Sequence, residues 1–167
     1  ANRVETVNRT YTVPVEYRNA PSGWVIENPS PEQVKVSLTG QERAFNFDHT
    51  TLVVSLDVKT LKEGSHSIPI TDKNLNLPKG LSVTDISPGM FTFHAYQIEQ
   101  VELPVTVKTK GKVPGNLEVT EIKVAPQSLR MTIRSSRKNQ YSEIPTEVLD
   151  LSQIKQNTVL RLKVNTP

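Results

Sequence analysis

The 167-residue sequence contains no cysteine, which excludes disulfides, thiolate metal ligands and a cysteine nucleophile together. Aromatic residues make up only 5%, with a single tryptophan, so burial has to come from aliphatic strand faces rather than an aromatic cluster. No run approaches the roughly 20 apolar residues of a membrane-spanning helix, and no charged-then-apolar leader opens the chain. Any anchor or export signal is therefore expected outside these residues. Motifs of chemistry are missing as well. The sequence has no Gly-x-Ser-x-Gly elbow, phosphate-cradling loop, dinucleotide fingerprint or calcium loop, and Gly111-Lys112 lacks the rest of a phosphate loop. His49, His66 and His94 stand at no metal-ligand spacing, and the carboxylates are scattered rather than grouped as an acid and base. A non-enzymatic protein with no cofactor and no metal is expected.

Proline is abundant, with 12 residues against 7 glycines, and the prolines punctuate apolar runs instead of forming one tract. The runs themselves repeat. Tyr11, Val13, Val15 and Tyr17 alternate at period two, as do Val101, Leu103, Val105 and Val107, with Pro14 and Pro104 in the same place. Such prolines imply an edge strand or a bulge. Next come Pro21-Ser22-Gly23 and Pro114-Gly115, turns leading to the predicted short strands Trp24-Val25-Ile26 and Leu117-Glu118-Val119. A proline-led strand follows in each copy, with Val34, Val36 and Leu38 after Pro31, and Leu129, Met131 and Ile133 after Pro126. The polar segments 39–50 and 134–143 then suit loops or single helical turns.

A mixed motif makes the repeat specific. Leu56-Asp57-Val58 aligns with Leu149-Asp150-Leu151, followed by Leu61 or Ile154 and by Gly64 or Asn157. Asp57 and Asp150 are placed to accept backbone N–H groups at a single helical turn, and Gly64 and Asn157 to adopt positive φ. Strands at 66–70 and 159–164 complete the match. The first copy adds a Gly turn, Lys79-Gly80, and a third proline-led strand in which Phe91, Phe93 and Ala95 follow Pro88. The second copy reaches Pro167 where that piece should begin, so it is expected to be incomplete at its C-terminal end. Two all-β domains are predicted, residues 1–98 and 99–167, mainly strand with short helical turns and joined stiffly.

Charge is uneven. Residues 1–99 hold 9 Lys/Arg against 11 Asp/Glu, and residues 100–167 hold 11 against 6, giving −2 and +5. Lys108, Lys110 and Lys112 share parity, with Arg134, Arg137 and Lys138 further on. These six are the candidate interaction surface. Solvated, edge-protecting lysines explain them structurally, while RNA, lipid headgroups or a cell-wall polymer would be the anionic partner. Aromatics do not interleave with the cations, so no specific nucleic acid is expected. The one sequon, Asn8-Arg9-Thr10, is at chance frequency.

The ordered set of Val13-Pro14-Val15 and Leu103-Pro104-Val105, the Pro/Ser-Gly turns, the proline-led strands, the Leu-Asp-hydrophobic stretches and the Pro88 strand resembles tandem copies of the YbbR-like domain family. The resemblance spans most of residues 11–164 and carries no catalytic residues. It implies a β-rich, extracytoplasmic bacterial protein, anchored by an N-terminal membrane segment outside this chain. It also implies a regulatory partnership with a membrane-bound diadenylate cyclase, the source of cyclic di-AMP.

Overall fold

The structure, a computed structural model, describes residues 5–167. These form nine strands: β1 (Thr6–Arg18), β2 (Trp24–Ser30), β3 (Gln33–Gln41), β4 (Val54–Asp57), β5 (Gly64–Pro69), β6 (Leu81–Ser87), β7 (Met90–Lys110), β8 (Ser128–Arg134) and β9 (Ile144–Asp150). Short 3-10 turns punctuate them at Glu42–Phe45, His49–Thr51, Asp72–Asn74, Ser135–Gln140 and Leu151–Gln153. Both polar segments expected as loops or helical turns thus contain such turns. The protein is all-β, in two compact units, Ala1–Gln97 and Ile98–Pro167.

In the first unit, one sheet runs β4-β1-β3-β6 and a second runs β2-β7-β5. Period-two alternation on β1 puts Val13 opposite Val34 of antiparallel β3, and from Val15, opposite Val54, the same strand runs parallel to β4. Residues 90–97 of β7 supply Phe91, Phe93 and Ala95 from the second sheet, each 2% exposed, and these join Val13, Val34, Val36 and Leu56 in one core. Each of these phenylalanines contributes about 1.5–3 kcal/mol by burial.

The edge placement inferred from Pro14 needs correction, since β1 lies between β4 and β3. The Val15 N–H donates to the Glu32 carbonyl at 2.9 Å, towards the β3 side, so the nitrogen of Pro14 faces the other side. There the pairing with β4 begins only at Val15, and the missing N–H costs no ladder bond.

The second unit repeats this opening. Leu103 of β7 sits opposite Leu129 of antiparallel β8, and Val105 opens a parallel pairing with Ile144 of β9. The Val105 N–H donates to the Gln127 carbonyl at 2.8 Å, so Pro104 stands at the same switch of partners. Pro31, Pro88 and Pro126, which lead the three matching strands, all follow cis peptide bonds.

Two predicted strands of this unit are not formed. Residues 117–119 are irregular, and 159–164 are too, apart from one bridge between Val164 and Thr146. The cause lies in what holds their counterparts: β2 and β5 are strands because both pair with residues 90–97 of β7. Unit 2 has no such strand among its described residues, and backbone without a partner does not hold strand geometry. Gly64 adopts φ +114° as expected at the start of β5, whereas Asn157 does not adopt positive φ, and no strand follows it.

Candidate interaction site

The two aspartates of the repeat act in turns. Asp57 accepts the Lys59 N–H at 2.9 Å and the Asn19 amide at 3.1 Å, although no helical turn follows it. Asp150 caps Leu151–Gln153, accepting the Ser152 hydroxyl at 2.7 Å and its N–H at 3.0 Å. Hydrogen bonds to the charged form hold both carboxyls below their ordinary range, led by the Lys59 N–H at Asp57 and the Ser152 hydroxyl at Asp150. A left-handed residue preceded by a cation stands beside each aspartate. Arg18-Asn19, with Asn19 at φ 64°, serves Asp57, and Lys110-Gly111, with Gly111 at φ 73°, serves Asp150. A Cβ on Gly111 would lie 3.1 Å from the Asp150 carboxylate, and Lys110 lowers that carboxyl's pKa through its charge. Lys110 is thus part of a turn that the first unit builds with Arg18.

The six candidate cations do not form one patch. Lys108 and Lys110 end β7 and Lys112 follows in an exposed loop, while Arg134 ends β8 and Arg137 and Lys138 lie in the turn Ser135–Gln140. Lys108 pairs with Glu143 at 2.8 Å, and Lys138 with Glu99 at 3.2 Å. Glu99 and Lys108 are nine residues apart on β7, roughly 30 Å at about 3.3 Å per residue, so one group sits beside the middle of that strand and the other at its C-terminal end. Lys108, and behind it the Thr106 hydroxyl at 2.7 Å, keep the Glu143 carboxyl below its ordinary range.

The histidines are taken up locally. His66 stacks on Phe93 with ring centroids 4.8 Å apart and donates through Nε2 to the Lys62 carbonyl at 2.7 Å. His49 stacks on Tyr11 at 5.6 Å, and the His94 Nδ1 lies 3.1 Å from the Ser65 hydroxyl. Among the described residues no group of three His, Asp or Glu side chains is placed to hold a metal.

Residue types alone did not reveal one recess. A groove of about 910 Å³ opens in the second unit, floored by Val105 and Leu129 and walled by the irregular segments 117–124 and 157–164. Among the described residues nine large hydrophobic side chains are exposed, and six of them, Leu117, Val119, Ile122, Val159, Leu160 and Val164, line this groove. Val159 is 97% exposed. The sequence signal that could have located it is the missing counterpart of the Pro88 strand. In the first unit that strand lies between β2 and β5.

The repeat also decides the family. The sequence profile described as YbbR-like protein matches residues 13–90 and again residues 103–167. The chain belongs to the YbbR-like protein family. Its two matched segments start at Val13 and Leu103, each one residue before the Pro14 and Pro104 switches, so each family copy begins at the strand that changes partner. A comparison with curated proteins gives no match. Solved structures of YbbR-like proteins are similar. One from Streptococcus pneumoniae TIGR4 is 20% identical with TM-score 0.47, over 91% of this chain and 78% of that one. A YbbR-like domain from Listeria monocytogenes is 18% identical with TM-score 0.47, over 55% and 94% of the respective chains. A YbbR family protein from Desulfitobacterium hafniense DCB-2 is 19% identical with TM-score 0.45, over 53% and 96%.

Proposed function

We propose that this YbbR chain is a non-enzymatic, extracytoplasmic protein-interaction module. Held at a bacterial membrane by a segment outside residues 1–167, it binds and biases a membrane-bound diadenylate cyclase. The observation that carries the interaction reading is the repeat itself, two β units matched at residues 13–90 and 103–167 whose equivalent aspartates are both spent on backbone turns. Family membership supports the cyclase as the partner, because the resemblance implies that partnership. The turn and ion-pair roles of Asp57, Asp150 and Glu143 support a scaffold over a catalyst, each carboxylate being engaged by a turn N–H, a neighbouring side chain or an ion pair. The polyanion reading loses ground, since its cations divide between the middle and the C-terminal end of β7 and two of them face carboxylates. Deleting the full-length protein and measuring cyclic di-AMP tests the proposal. An altered level, with cyclase co-purifying with the tagged protein, is expected. Unchanged cyclic di-AMP and no co-purifying cyclase would sink it.

A further inference from the structure

A smaller recess, of about 330 Å³, opens on the first unit, over the outer face of the sheet β2-β7-β5. Strand alternation dictates what lines it. Phe91, Phe93 and Ala95 turn into the core, so Thr92 and His94 take the opposite face of β7, and the antiparallel register sets Ser67 of β5 beside Thr92 and Ser65 beside His94. Neighbouring strands lie about 4.8 Å apart and alternate residues about 6.6 Å apart, so these four side chains mark the corners of a patch on the scale of one six-membered ring with its substituents.

A fifth polar group arrives through a bulge in β2. Glu27 pairs with His94 and Ser30 with Thr92, so Asn28 and Pro29 together oppose Phe93. Pro29 has no N–H for the ladder, and Asn28 adopts φ 53°, in the left-handed region that asparagine tolerates better than most residues. The bulge places Asn28 on the rim of the recess, while Glu27 lies outside it. The side chains of Asn28, Ser67 and Thr92 make no hydrogen bond to another described residue. His94 meets the Ser65 hydroxyl through Nδ1 at 3.1 Å, a contact that orients the ring and leaves Nε2 for a ligand.

The lining holds hydroxyls, an amide and imidazole, and no carboxylate, ammonium or guanidinium. Hydroxyls and amides both donate and accept, which suits a ligand whose own groups do the same. An anion would call for cations, a cation for carboxylates, and a peptide adding as a strand for a free edge, whereas β7 is paired on both sides here. We propose that this recess binds one neutral sugar ring, whose hydroxyls bond to Asn28, Ser67, Thr92 and Nε2 of His94 in place of water. Its volume stands at the small end of the roughly 300–1,000 Å³ of small-molecule sites, which limits it to about one ring. The site uses nothing from the second unit and is independent of the cyclase reading.

Amide NMR of the full 167-residue chain tests this, with glucose, N-acetylglucosamine, maltotetraose and chitotetraose as probes. At least one of them should give saturable shifts at Asn28, Ser65, Ser67, Thr92 and His94, with a Kd of about 10 mM or tighter. Equal affinity for a monosaccharide and its tetrasaccharide identifies a free sugar as the ligand, and tighter binding of the tetrasaccharide identifies a unit of a glycan chain. Ser67→Ala combined with Thr92→Val, both at exposed side chains, should raise the Kd by about tenfold and leave the thermal midpoint unchanged. Asn28→Gly, which suits the local φ and removes only the amide, should weaken binding by about threefold without loss of stability. No saturable shift at these residues with any of the probes, affinity unaltered in both variants, or tighter binding of glucuronic acid than of glucose would overturn the proposal. The assay contains no cyclase, so its outcome and that of the cyclic di-AMP measurement are read separately.

Discussion

Replacing Phe93 by alanine removes a side chain that is 2% exposed, sits 5.5 Å from the Phe91 ring and carries the His66 ring stacked at 4.8 Å. Phenylalanine-to-alanine changes in close-packed cores cost about 3–5 kcal/mol, the transfer of the ring plus the cavity it leaves. The upper half of that range applies here, because Phe93 lies on the central strand of β2-β7-β5, whose flanking strands cannot both close in on the gap. The chain's single tryptophan, Trp24, stands on β2 opposite Gln97 of β7, so its fluorescence reports this unit. With a urea slope of about 1.5 kcal/mol per molar, the midpoint followed at Trp24 should fall by about 3 M. Val159→Ala, at a side chain 97% exposed, should change stability by less than about 0.5 kcal/mol. A loss below about 1 kcal/mol for Phe93→Ala would refute the assignment of residues 90–97 as a buried, doubly paired strand.

Gly40→Ala should destabilise by about 1–3 kcal/mol in the same urea assay, because a Cβ there would lie 2.6 Å from the backbone carbonyl oxygen of Gly80 and 2.7 Å from Leu81 Cδ2. Ile144→Ala, at a side chain with no exposure on the parallel strand β9, should cost about 2–5 kcal/mol, read as faster amide exchange along β8 and β9. The carboxyls of Asp48, Asp57, Glu143 and Asp150 are all held below their ordinary values of 3.8 for Asp and 4.5 for Glu. Their contribution is full above those values and is lost as pH falls through the lower folded ones, so stability should decline below about pH 4, and Asp150→Asn should make that acid limb shallower. Retention on an immobilised polyanion, where it occurs, should show a log–log salt slope no steeper than about −3, since neither cation group offers more than three charges; a slope near −6 would mean that all six act together.

Period two and proline punctuation made most of the first unit legible, because every apolar-alternating stretch there found a partner strand. Identical reasoning failed at 117–119 and 159–164, since alternation records which side chains prefer burial and says nothing of whether a neighbouring strand exists. Pro14 misled for a related reason. Its missing N–H does exclude one hydrogen bond, yet a strand that changes partners midway has a position where that bond is not needed. The Asp57 and Asp150 turns were readable as local backbone chemistry, whereas their cation partners Arg18 and Lys110 were not, being brought together by parallel pairing across some forty residues. Lys108, Lys110 and Lys112 shared a parity that promised a surface, but Glu143 just before β9 and Asp150 at its end lie some forty residues away, where residue spacing could not show them.

The change of partners at Pro14 and Pro104 also bears on how the chain is made. The β4 side of β1 closes only when residue 54 reaches residue 15, and the β9 side of β7 only when residue 144 reaches residue 105. Contacts that distant in sequence place folding in the slower, millisecond-to-second range. At about 5–20 residues added per second, each opening strand waits some seconds on the ribosome with one flank unsatisfied. A bare flank of alternating valines is a template for another nascent chain. With no N–H to offer on that flank, Pro14 and Pro104 interrupt the template during that interval, an aggregation guard that the finished fold no longer needs.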